Sequence, residues 1–173
     1  AVESVIRATS FTNSMTAPGQ WLSTGTSTIT HNVVPSADGA GNTASRIVCS
    51  NVATAHQIYY EGAPTVSGRA YVFSILVRRE TLTAGGVWLM RNAGIATGVR
   101  FMWNADGSLS PTVTHGAPFD YGWGQVSDTG YYLIWMSLAA DSASTQLRVY
   151  FVDPAGVQGH TNADEWHFDG AWL

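Results

Sequence analysis

The sequence predicts an all-β chain: two antiparallel sheets packed as a sandwich. Three observations lead there. No segment sustains the 3.6-residue apolar period of an amphipathic helix. β-Branched and aromatic residues dominate the apolar set, and these suit a pleated, half-buried surface. Turn formers recur at short intervals, at Asp38-Gly39, Pro64, Gly85-Gly86, Asn104-Ala105-Asp106-Gly107, Asp128-Thr129-Gly130 and Asp153-Pro154-Ala155-Gly156. That spacing is the mark of a many-stranded sandwich.

The turns delimit the strands in order. Residues 26–33 and 44–50 flank Asp38-Gly39, 55–61 ends before Pro64, and 70–79 follows it. Residues 87–92 begin after Gly85-Gly86, and 99–104 and 109–115 flank the Asn104 to Gly107 turn. Residues 125–127 and 131–139 lie on either side of Asp128-Thr129-Gly130, 146–153 runs into the Asp153-Pro154 turn, and 165–173 closes the chain.

Neighbours along a strand point to opposite faces, so alternation assigns sides. In 70–79, Tyr71, Phe73, Ile75 and Val77 are expected in the core, leaving Val72, Ser74, Leu76 and Arg78 outside. In 131–139 the inward set is Tyr132, Ile134, Met136 and Leu138, with Tyr131, Leu133, Trp135 and Ser137 outward. In 146–153, Leu147, Val149 and Phe151 face the core. Arg148 and Tyr150 then face the same way as Trp135 if the two strands share a sheet. Trp88 and Trp103 sit in middle strands, and a slip of one residue in register exchanges their faces.

Composition excludes several classes. A chain of 173 residues with 45% hydrophobic content fits one domain, residues 1–173, and no linker or repeat divides it. No apolar run approaches the roughly 20 residues of a membrane-spanning helix, so membrane insertion is not expected. The start lacks a charged segment followed by an apolar stretch, which fits a mature or excised domain. Net charge is -4 and all 8 basic residues are Arg, a poor basis for binding nucleic acid. Cys49 is the only cysteine, so an intrachain disulfide and a thiolate zinc cluster are excluded. It reads as a buried structural thiol.

Family resemblance enters through the carboxy-terminal third. Gly122-Trp123-Gly124-Gln125-Val126-Ser127-Asp128-Thr129-Gly130-Tyr131-Tyr132, together with the closing Phe168-Asp169-Gly170-Ala171-Trp172-Leu173, resembles the last strands of jelly-roll carbohydrate-binding modules found in phage tail proteins and polysaccharide-degrading enzymes. Tyr131, Tyr132 and Gly170-Ala171 match the pattern, and Leu133 stands where it has Arg. Asn32 with Pro35-Ser36-Ala37-Asp38-Gly39 and Thr43-Ala44-Ser45-Arg46-Ile47 resembles a motif in the first half of the same family. The resemblance implies a jelly roll, a polysaccharide or cell-surface glycan as partner, and a place on the virion surface or outside the cell within a larger protein. It also implies a structural calcium ion, with Asp169 in the place of the terminal-strand acid and carbonyls of residues 11–21 as further ligands. A lone Asp is short of the six to eight oxygens calcium prefers.

Sugars present apolar C–H faces and dense hydroxyls, so a sugar site needs aromatic platforms and fixed polar groups. Trp135, Tyr131 and Tyr150 supply the first, Arg148 and Arg78 the second, and Trp123 between two glycines is a candidate loop-borne contact. The competing reading buries the same aromatic face between chains of a fibre, as in a homotrimer. For catalysis the sequence offers no paired carboxylates, nucleophile with base, or phosphate loop. Most acids sit in turns, and His31, His56, His115 and His160 lack metal-ligand spacing. A jelly-roll lyase would have to use His56, Gln57, Tyr59 and Tyr60, the nearest approximation to a polar cluster.

Overall fold

A computed structural model describes residues 21–24, 27–37, 39, 41–42, 44–80, 85–91, 96–126, 129–140, 144–161 and 163–173. Its strands are β1 (Trp21–Thr24), β2 (Thr28–Val34), β3 (Ala44–Val48), β4 (Thr54–Pro64), β5 (Ala70–Arg79), β6 (Gly85–Arg91), β7 (Thr97–Trp103), β8 (Leu109–His115), β9 (Tyr121–Val126), β10 (Tyr131–Ala139), β11 (Ser144–Val152), β12 (Gly159–His160) and β13 (Glu165–Trp172). The first sheet runs β1-β4-β11-β6-β7-β8, with β12 also paired to β4, and the second runs β2-β3-β13-β5-β10-β9. The antiparallel sandwich is therefore as the sequence predicts. No helix among the described residues is long and apolar enough to cross a membrane.

Alternation placed the core correctly. Phe73, Ile75, Val77, Ile134, Met136, Leu138, Leu147, Val149 and Phe151 are all buried between the sheets. Tyr71 and Tyr132, half-buried, pack against the same cluster. The sheets are keyed together by aromatic side chains: Trp166 of β13 lies 5.2 Å from Phe151 of β11 and 5.6 Å from Trp103 of β7, centroid to centroid. Trp103 also takes Tyr132 edge-on at 5.4 Å. Cys49 is buried in this core, and burial pushes its thiol up to about 12, which fits a structural role.

One facing is corrected. β10 and β11 are consecutive but belong to different sheets, because the chain crosses the sandwich between them. Their inward rows meet in one core, so their outward rows point to opposite sides of the molecule. Trp135 thus faces away from Arg148 and Tyr150.

Tyr131 departs from expectation for a second reason. It lies on the outer side of β10, but the connection between β2 and β3 folds over it. Val34, Ala37 and Ala44 pack on its ring and leave it 0% exposed. Its hydroxyl donates to the Pro35 carbonyl at 2.6 Å, and the Ala37 amide donates to Asp169 Oδ2 at 2.6 Å. Burial, with Asp169 nearby, raises the phenol well above its ordinary value. Tyr131→Phe removes one buried hydrogen bond, so unfolding free energy should drop by about 1 kcal/mol in urea titration. An unchanged midpoint would show that the loop is held by packing alone.

Candidate functional site

The outer face of the first sheet gathers the groups a ligand site needs. Cross-strand register sets Gln57, Tyr150, Trp88, Arg100 and Thr112 in one row across β4, β11, β6, β7 and β8. The adjacent row holds Tyr59, Arg148, Met90 and Gly98. With strands about 4.8 Å apart, five of them span about 19 Å.

Trp88 is the centre of this face. Tyr150 lies against it at 5.3 Å and 38°, and His115 stacks on it at 5.4 Å and 18°. Exposure rises along the trio, from buried Tyr150 through half-buried Trp88 to exposed His115. A register irregularity between Gly98 and Val99 at the β7–β8 pairing lets His115 reach Trp88 while Thr114 Oγ1 donates to the Gly98 carbonyl at 3.1 Å. Gly98 itself is required by close approach: a Cβ there would come 2.8 Å from the indole Nε1.

Polar groups frame the aromatic trio. Arg148 donates through Nη1 to the Tyr150 hydroxyl at 3.0 Å and through Nε to Gln146 Oε1 at 2.6 Å. Gln146 in turn donates to Glu61 Oε1 at 2.8 Å. On the other side, Arg100 Nη1 donates to the Gly156 carbonyl at 3.1 Å. That contact ties residues 153–158, which leave the sheet between β11 and β12, to this outer face.

The six sequence-predicted site residues therefore separate. Arg148 and Tyr150 come together on the first sheet. Trp135 lies half-buried on the outer face of the second, its ring over Gly122, where a Cβ would come within 2.8 Å of it. Tyr131 is covered by the β2–β3 connection. Trp123 is no overhanging loop residue: it belongs to β9, pairs with Ile134 and turns inward against Tyr132 at 6.1 Å. Arg78 is on the second sheet's outer face, ion-paired to Glu80, with its Nη1 on the Thr129 carbonyl at 3.2 Å.

Sequence reasoning missed Trp88, His115 and Arg100 as a group. The run Val87-Trp88-Leu89-Met90 is apolar on both faces, so it carries no alternation, and only the pairing of β6 with β11 and β7 shows Trp88 beside Tyr150.

Arg78 belongs to a charged network on the second sheet. His167 contacts Glu165 at 3.0 Å and Glu80 at 3.3 Å, and Arg46 contacts Glu165 at 2.6 Å. The Arg46 hydrogen bond holds the Glu165 carboxyl below its ordinary 4.5, with His167 adding to it against a smaller effect of burial. A lowered carboxyl stabilises the fold above its unfolded value, and that contribution is lost as pH falls through the folded one. Melting temperatures of wild type and Glu165→Gln should therefore differ above pH 4.5 and converge in acid. A constant offset at all pH would remove the carboxylate charge as the cause.

For calcium, Asp169 offers one carboxylate, whose Oδ2 already accepts the Ala37 amide. Among the described residues no group of three His, Cys, Asp or Glu side chains is arranged to hold a metal ion, and residues 11–20 lie outside them. The described residues do not by themselves make a calcium site. The lyase grouping does not assemble either: His56 faces inward, bonded to Ser27 Oγ at 3.2 Å, while Gln57 and Tyr59 face outward.

No protein-family model matches the chain, and no curated protein matches it in sequence. Solved structures do match in fold. A xylan-binding domain from carbohydrate-binding module family 22 is 13% identical, covers 90% of this chain and 86% of its own, and superposes with a TM-score of 0.50. A carbohydrate-binding module of family 61 solved with β-1,4-galactotriose is 11% identical, with 89% and 87% covered and a TM-score of 0.46. The enzymatically active domain of tailspike protein 4 from bacteriophage CBA120 is 14% identical over 89% of this chain and 19% of that one, with a TM-score of 0.47. The likeness to the xylan-binding domain is one of fold: this chain has a jelly-roll sandwich fold like that domain's.

Proposed function

We propose that this chain is a non-catalytic carbohydrate-recognition module that binds a polysaccharide across the outer face of the first sheet. The observation that carries the reading is the convergence there of Trp88, His115 and Tyr150 with Arg148, Arg100 and Gln57. Ring surfaces suit the apolar faces of sugars, and fixed donors and acceptors suit their hydroxyls. Strands of this sheet carry a single carboxylate, Glu61, which supports binding rather than acid–base hydrolysis by a carboxylate pair. Such a module would bring an attached phage tail or secreted polysaccharide-active protein to a glycan at the virion surface or outside the cell. A structural calcium ion beside Asp169 is a further proposal: chelation should then lower the melting temperature, and no change on chelation would remove it.

A glycan array probed with the purified chain tests the central claim. Specific hits lost on Trp88→Ala support it, and an array without hits overturns it. One observation favours a second reading. Beside Trp135, the second sheet's margin leaves Phe119 68% and Val72 40% exposed. If the chain braces a fibre, that face is the contact, and the protein should sediment as a homotrimer that dissociates on Trp135→Ala.

A further inference from the structure

We propose that the glycan taken by the first sheet's outer face is acidic, its carboxylate, sulfate or phosphate groups seated between Arg148 and Arg100; this rests on the carbohydrate reading above. Charge distribution carries the argument. The chain as a whole is negative, at -4, with 12 acidic against 8 basic residues. The strands of the first sheet reverse that balance, with Arg91, Arg100 and Arg148 against Glu61 alone. Arg148 and Arg100 lie on the outer side, two strands and two residues apart, which places their backbones about 12 Å from one another. Trp88 and Met90 lie between them.

Both guanidinium groups are fixed before a ligand arrives. Arg148 is held by Gln146 and Tyr150, and Arg100 by Gly156, whose backbone packs so closely that a Cβ there would meet Nη1 at 2.5 Å. The acids nearest the face already accept other donors, and Glu61 joins the Arg148 network only through Gln146. Glu61 accepts from Gln146, and Asp153 accepts the amides of Ala155 and Val157 within its own loop. A planar fork pre-set in this way pairs with carboxylate, sulfate or phosphate oxygens at little further ordering cost.

Titration calorimetry on matched soluble polymers tests the assignment: polygalacturonate against its methyl ester, a sulfated galactan against its desulfated form, and a glycerol phosphate polymer. An acidic member should bind at least tenfold tighter than its neutral partner, and the pair that shows it identifies the group. The preference should shrink on raising salt from about 50 to 500 mM. Arg100→Gln and Arg148→Gln should each reduce it, while Arg69→Gln, which removes the same charge from an exposed turn before β5, should not. Near-UV circular dichroism checks that the variants are folded, and the salt dependence of wild type stands without them. Equal affinity for neutral and acidic partners would overturn the acidic class and leave carbohydrate recognition intact. A preference undiminished in both face variants, or equally lost in Arg69→Gln, would overturn the seat. Binding to no polymer would overturn both readings.

Discussion

Trp88→Ala is expected to weaken glycan binding by about 30-fold or more, equivalent to at least about 2 kcal/mol, as for a central aromatic anchor of an interface. The ring is the one element that both Tyr150 and His115 lie against, so its loss removes a contact surface and the alignment of its neighbours. Trp88→Phe keeps a ring at the site and should recover part of the affinity. Calorimetry on any glycan that binds wild type reads the effect. If Trp88→Ala binds normally while Trp135→Ala does not, the glycan lies on the second sheet and the site assigned here is wrong.

Trp166→Ala should be the most damaging core change, costing about 3–5 kcal/mol of unfolding free energy. That is a large part of the roughly 5–15 kcal/mol that stabilises a typical domain. Trp166 is fully buried where the sheets meet, with Phe151 and Trp103 close by. Its indole Nε1 has no hydrogen-bond partner among the described residues. Trp166→Phe therefore deletes an unsatisfied donor along with some volume, and should cost much less than alanine. A urea midpoint for Trp166→Phe as low as that for alanine would show that the retained ring volume does not offset loss of the indole.

Strands with clean alternation were legible from the sequence. β5, β8 and β10 begin and end where alternation and turn residues place them, and the inward rows of β5, β10 and β11 are the observed core. β1 and β12 were missed because four and two residues are too few to show a period. The start of β9 was hidden by Gly122 and Gly124, which read as a loop, although Gly122 serves to let the ring of Trp135 lie against the strand. Local pattern gives which side of its own strand a residue takes. It does not give which sheet the strand joins, and that is why Trp135 and Tyr150, both outward, ended on opposite faces. The site was legible in kind, as rings and arginines, and only half legible in place.

The excursion at 153–158 has a consequence for how such a module can be remade. β11 and β12 both pair with β4 antiparallel, so the chain leaves the sheet and rejoins it in the same direction. Lengthening that segment shifts no strand, and doubling its length costs only about 0.6 kcal/mol in closure entropy. The segment meets the sheet through two backbone carbonyls, that of Gly156 on Arg100 and that of Gln158 on the His56 amide, and both would be kept. Foreign segments could therefore be grafted there to change which polymers are accepted, with the scaffold beneath left as it is.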